Sequence, residues 1–78
     1  MDEVTIYTTA TCPYCAMAKE LLRQREIPFE ERQVEFGSDE IARLIEKTGH
    51  MTVPQIFFGE EFIGGYDDLQ KYLVEHEF

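Results

Sequence analysis

Thr11-Cys12-Pro13-Tyr14-Cys15 contains both cysteines of the chain. Two thiols separated by two residues can close one small disulfide ring, so they can take up and release electrons as a pair. The stretch before it, Val4-Thr5-Ile6-Tyr7-Thr8, is apolar and β-branched, which predicts a strand. Ala16 to Gln24, after it, is built of helix formers. Cys12 therefore stands where a strand gives way to a helix start. Backbone N–H groups are unpaired there and the helix dipole is positive, which favours a thiolate over a thiol. Pro13 suits the first helical position, where no N–H is needed. The thiolate is the nucleophile of disulfide exchange, and Cys12 is the expected attacking thiol. Cys15 points further into the first turn and is the expected resolving thiol. Tyr14, between them, is either a ring presented to substrate or an exposed aromatic.

Outward from this stretch, Glu3 to Thr8 reads as a short, central, buried strand. The helix after Cys12 places Met17, Ala18, Leu21 and Leu22 in an apolar stripe, and Ile27-Pro28 stops it. Phe29 to Val34 reads as a second strand whose polar Glu-Glu-Arg-Gln interior suits a sheet edge. Ser38 is a helix N-cap with Asp39 and Glu40 behind it; Ile41, Leu44 and Ile45 face inward and Gly49 closes that helix. Gly59-Glu60 between Gln55-Ile56-Phe57-Phe58 and Glu61-Phe62-Ile63 is a two-residue hairpin signal. Gly64-Gly65 leads into a last helix opened by Tyr66-Asp67-Asp68, with Leu69, Tyr72 and Leu73 inward. The order is β-α-β-α-β-β-α, an α/β arrangement. The strand–helix–strand unit should form a right-handed parallel pair, the hairpin should extend the sheet antiparallel, and helices should cover both faces.

The 78 residues leave room for one domain, spanning 1–78, and one modest core. A ring between near-neighbour cysteines closes too short a loop to staple a small fold, so the cysteine usage is catalytic in style. A net charge of −9 argues against nucleic acid and anionic membranes as main partners. No apolar run approaches a membrane span. Met1-Asp2-Glu3 is acidic and unlike a signal peptide, so a reducing cytoplasm is the expected location.

The cysteine pair has two rival readings, small buried residues or half a zinc site. Zinc would need two more ligands, and His50 and His76 stand far apart with no second Cys-x-x-Cys, so redox chemistry is favoured. Thr52-Val53-Pro54 reads on its own as an edge-strand start, and a cis bond there would instead turn a backbone edge toward a ligand. Gly64-Gly65-Tyr66-Asp67 is either a plain turn or a set of helix-start amides open to a carboxylate. His50 reads as an exposed turn residue that could supply positive charge when protonated.

Taken together, Ile6-Tyr7-Thr8, Cys12-Pro13-Tyr14-Cys15, Thr52-Val53-Pro54-Gln55-Ile56-Phe57 and Gly64-Gly65-Tyr66-Asp67-Asp68-Leu69 resemble a dithiol glutaredoxin over essentially the whole chain. The resemblance implies a thioredoxin-like fold, a four-stranded mixed sheet with three helices, and a cis Pro54. It implies glutathione as electron donor, with no metal. By that resemblance Cys12 takes the mixed disulfide and Tyr14 lies beside the tripeptide. Val53 pairs with the tripeptide's main chain, with Thr52 adjacent, and the Gly65-Tyr66-Asp67 segment receives its γ-glutamyl end. Disulfide-containing proteins, ribonucleotide reductase among them, would be partners of a monomer. Two positions depart from the family pattern. Thr9 and Met51 stand where relatives often carry Lys or Arg, and both losses remove positive charge near the thiolate or the glycyl carboxylate. The competing readings are a redoxin fed by thioredoxin reductase, a metal or cluster module, and a non-catalytic interaction domain.

Overall fold

Val4, Ile6 and Thr8 are buried while Thr5 and Tyr7 between them are half-buried, the alternation of a strand with one fully covered face. The computed structural model describes residues 3–76; the acidic start at Met1-Asp2 lies outside them. Their order is β1 (Val4–Thr8), α1 (Pro13–Gln24), β2 (Phe29–Gln33), α2 (Asp39–Thr48), β3 (Gln55–Phe58), β4 (Glu61–Gly64) and α3 (Tyr66–Glu75). The sheet runs β2-β1-β3-β4. β1 pairs parallel with β2, Val4 opposite Phe29 and Thr8 opposite Gln33. It pairs antiparallel with β3, Val4 opposite Phe58 and Ile6 opposite Ile56. The hairpin turns at Gly59, whose φ of 64° is the left-handed geometry that glycine adopts at no steric cost, and β4 follows antiparallel. β2 is an edge strand, and its Glu-Glu-Arg-Gln interior is exposed.

One face of the sheet carries the core. Val4, Ile6, Ile56 and Phe58 meet Ala18 and Leu22 of α1 and Leu69 and Leu73 of α3. Full burial of each larger apolar side chain contributes about 1.5–3 kcal/mol. α2 stands over the opposite face, where Leu44 shares a cleft with Thr5, Tyr7 and Phe57. Ser38 Oγ accepts the Ile41 N–H at 3.3 Å, and Gly49 ends α2 at φ 74°.

Three expectations need correction. Met17 is 45% exposed, because the buried face of α1 runs through Cys15, Ala18 and Leu22. At about 100° per residue Met17 falls well outside that face. Leu21, Ile45 and Tyr72 are only half-buried, with the Tyr72 ring against Phe58 at 4.6 Å. α1 ends before Ile27-Pro28: Glu26 takes φ 56°, its N–H bonds Arg23 O and the Ile27 N–H bonds Leu22 O. That is a Schellman closure, set by the backbone before the proline is reached.

Candidate active site

The topology brings three chain segments to one end of the sheet. β1 and β2 both end there, α1 begins there, and β3, antiparallel to β1, starts there. Cys12 is the N-cap of α1, with extended backbone (φ −139°, ψ 101°), and Pro13 opens the helix. The Cys15 N–H points at Cys12 Sγ from 3.1 Å. This is the side-chain cap that Ser or Asp supplies elsewhere, here made by sulfur, and it stabilises negative charge on that atom. The two sulfurs form a disulfide, with Cα atoms 5.2 Å apart. Cys12 is half-buried at the surface, while Cys15 is 2% exposed. The difference has the sense required of an attacking and a resolving thiol.

Beside the disulfide, Cys12 Sγ lies 3.7 Å from the Val53 carbonyl oxygen. The Val53–Pro54 peptide is cis, so the reading of this segment as a plain strand start gives way to the one the resemblance implied. Its loop is fastened from beneath by Gln55, which is fully buried. Gln55 Nε2 donates to the carbonyls of His50 and Thr52, the latter at 3.2 Å. Its Oε1 lies 2.9 Å from Thr48 Oγ1 on the last turn of α2. A buried amide with both ends engaged holds the loop rigidly against α2.

Across from the loop, α3 begins at Gly65. The Gly65 N–H donates to Asp68 Oδ2 at 3.1 Å. Helix geometry leaves the Tyr66 and Asp67 N–H groups without intrahelical acceptors. Gly64 (φ 126°) has no room for a side chain, since a Cβ there would overlap the Asp68 carboxylate. Between loop and helix lies a cleft of about 190 Å³ lined by Tyr14, His50, Thr52, Val53, Pro54, Gly65, Tyr66, Asp67 and Asp68. The rings of Tyr14 and Tyr66 flank it, centroids 6.3 Å apart.

The structure thus gathers Tyr14, Thr52, Val53, Pro54, Gly65, Tyr66 and Asp67 around one cavity next to Cys12. Sequence reasoning placed Asp68 at the helix start but not in the cleft, and misplaced His50, which is half-buried and packs on Phe62 at 5.6 Å instead of standing free in a turn. The available signal was the brevity of the link from Gly49 to Thr52, which gives a ring in it little freedom. Among the described residues no three His, Cys, Asp or Glu are grouped as metal ligands. No helix of the described residues is long and apolar enough to cross a membrane.

The glutaredoxin family profile matches residues 4–63. A glutaredoxin of Pseudomonas aeruginosa is 48% identical over 69 residues, covering 88% of this chain and 82% of that protein. The crystal structure of glutaredoxin 1 from Francisella tularensis, complexed with cacodylate, superposes at a TM-score of 0.82 with 30% identity, over 99% of this chain and 98% of that one. A buckwheat glutaredoxin–glutathione complex superposes at 0.85 with 26% identity, over 97% of this chain and 72% of that one. The four-stranded mixed sheet with three helices is the thioredoxin-like fold of these proteins. With the family match running through both the cysteine pair and the Thr-Val-Pro loop, the chain belongs to the glutaredoxin family and is a glutathione-dependent thiol–disulfide oxidoreductase.

Proposed function

We propose that glutathione itself occupies the cleft between the Thr52-Val53-Pro54 loop and the start of α3, and that it is the direct electron donor. The observation that carries this is the junction at Val53. This residue lines the cleft, and its carbonyl lies 3.7 Å from Cys12 Sγ, so a peptide seated in the cleft has its sulfur delivered to the nucleophile. An extended tripeptide would pair with the Val53 backbone, as peptides do with a free strand edge. Its γ-glutamyl carboxylate would meet the Tyr66 and Asp67 N–H groups, where the helix dipole favours an anion. The Asp67 side chain would face the ammonium, and Tyr14, Thr52 and Gly65 would complete the walls. The buckwheat relative was crystallised as a glutathione complex.

In this reading the Cys12 thiolate attacks a mixed disulfide, expels the substrate thiol and keeps the glutathionyl group. A second glutathione thiolate then attacks that adduct, releasing glutathione disulfide and regenerating the Cys12 thiolate. With a protein disulfide, Cys12 first bonds the protein and Cys15 displaces it, leaving the Cys12–Cys15 disulfide for two glutathiones to reduce. A pair poised at about −200 to −230 mV, the band of glutaredoxins, exchanges readily with glutathione; one near −270 mV would not. The protein substrates we propose are disulfide-cycling enzymes, ribonucleotide reductase among them. We propose that they are reduced in the cytoplasm and that the protein acts as a monomer. The test runs one small mixed-disulfide substrate with two donor systems, glutathione with glutathione reductase and thioredoxin reductase alone. Turnover with glutathione is expected despite Thr9 and Met51. Turnover only with thioredoxin reductase would withdraw glutathione from the cleft.

A further inference from the structure

Among the described residues no Lys or Arg lines the cleft. Its charged walls are Asp67 and Asp68, and Asp68 is already engaged by the Gly65 N–H. Beyond the partial positive charge at the start of α3, an anionic peptide entering it is favoured by an added cation. Among the lining residues His50 is the side chain able to supply it. The imidazole is held in place. It stands edge-on to Phe62, its backbone N–H donates to Thr48 Oγ1 at 3.1 Å, and its carbonyl accepts from the buried Gln55. Nε2 lies 3.2 Å from Thr52 Oγ1 and 3.4 Å from the place a Cβ on Gly65 would occupy. The ring therefore bridges the Thr-Val-Pro side of the cleft and the N-cap of α3.

We propose that His50 is a specificity-determining residue for the reaction, its protonated ring reading the ligand carboxylate seated at the start of α3, so that affinity rises as pH falls. The proposal rests on the glutathione reading above. Protonation acts twice. It places a cation beside the carboxylate, and it leaves Nε2 only a donor role. Thr52 Oγ1 must then accept from the ring, which turns the Thr52 O–H free to donate to the anion. The charged or titratable groups that line the cleft together with the ring are Tyr66, Asp67 and Asp68 on α3 and Tyr14 on α1. α2 contributes Lys47, set over the Phe57 ring, which packs on Phe62. β4 presents the uncharged Phe62.

S-methylglutathione, which cannot exchange, provides the test when titrated by NMR into the oxidised protein at about pH 8 and about pH 6, on either side of the ordinary histidine range. Wild type should bind at least about fivefold tighter at the lower pH, and His50→Gln should show no such change. By reciprocity, saturating ligand should displace the protonation curve of His50 toward higher pH by the same factor. His76, stacked on Tyr72 at 4.0 Å, is the internal control and should not move. An analogue lacking the γ-glutamyl α-carboxylate should lose the pH dependence. Binding that is equally pH-dependent in His50→Gln, or a His50 curve indifferent to ligand, overturns the proposal while leaving glutathione in the cleft. Absence of any response at Tyr66 and Asp67 at both pH values overturns the cleft assignment and the proposal with it.

Discussion

Cys12 and Cys15 differ less in chemistry than in what surrounds them. One sulfur sits at the surface, 3.1 Å from an N–H of the helix start, and the other is 2% exposed. Cys12→Ser should therefore reduce turnover of every disulfide substrate to background. Cys15→Ser should keep turnover of glutathione mixed disulfides and lose that of protein disulfides, which a parallel assay of both substrates will read directly. Asp68 works through the backbone instead, since its carboxylate takes the Gly65 N–H and orients the first turn of α3. Asp68→Ala should cost about 1 kcal/mol in urea unfolding. It should also raise KM for glutathione more than it lowers kcat, because it loosens the helix start proposed to seat the γ-glutamyl carboxylate. The cysteines and Asp68's place at a helix start were legible in sequence, since their chemistry is local. Gln55 and His50 were not. Gln55 reads as the polar first residue of an apolar strand, and only the folded loop shows its amide spanning His50, Thr52 and Thr48.

At the scale of elements, what was legible divides the same way. The strand and helix order followed from periodicity and from caps that act within one turn, such as Ser38 and Gly49. The edge position of β2 followed from its charged interior. The end of α1 did not, because Glu26 adopts a left-handed backbone with no residue type to announce it. Gly49 does the same work openly at φ 74°. A non-glycine residue in that region carries a steric cost of roughly 1–2 kcal/mol, part of which glycine's greater unfolded freedom takes back. Glu26→Gly should consequently stabilise the protein by up to about 1 kcal/mol, seen as a higher urea midpoint at unchanged slope. Its Schellman bonds, Glu26 N–H to Arg23 O at 3.0 Å and Ile27 N–H to Leu22 O at 2.9 Å, should persist. A lower midpoint would mean that the Glu26 side chain contributes more than its backbone costs.

For the molecule as a whole, a charge of −9 makes each well-placed cation matter. The ion pairs Arg23–Glu20 and Arg32–Glu30 are exposed contacts at 3.7 Å within single elements and contribute little. Lys19–Glu31 is different in kind, because it ties α1 to the edge strand at 3.0 Å while Glu31 also accepts the hydroxyl of Thr8 at 2.8 Å. Thr8 is fully buried at the end of β1. Three elements around the catalytic end of the sheet thus converge on one carboxylate. The Thr8 hydroxyl, followed by the Lys19 ammonium, holds Glu31 below the ordinary carboxylate range against a small opposing effect of burial. A carboxyl whose folded pKa is depressed contributes stability above its unfolded value, and that contribution is lost as pH falls through the folded one. Thr8→Val keeps the shape of the buried side chain and removes the leading cause. At neutral pH it should cost on the order of 1 kcal/mol, the exposure of the carboxylate limiting the loss. The gap between variant and wild type should narrow as the solution is acidified below the unfolded glutamate pKa, because a protonated Glu31 no longer distinguishes the two as strongly. Urea unfolding of both proteins across that range measures the gap. A gap of constant size would show that Thr8 acts through packing alone, with the carboxylate a bystander.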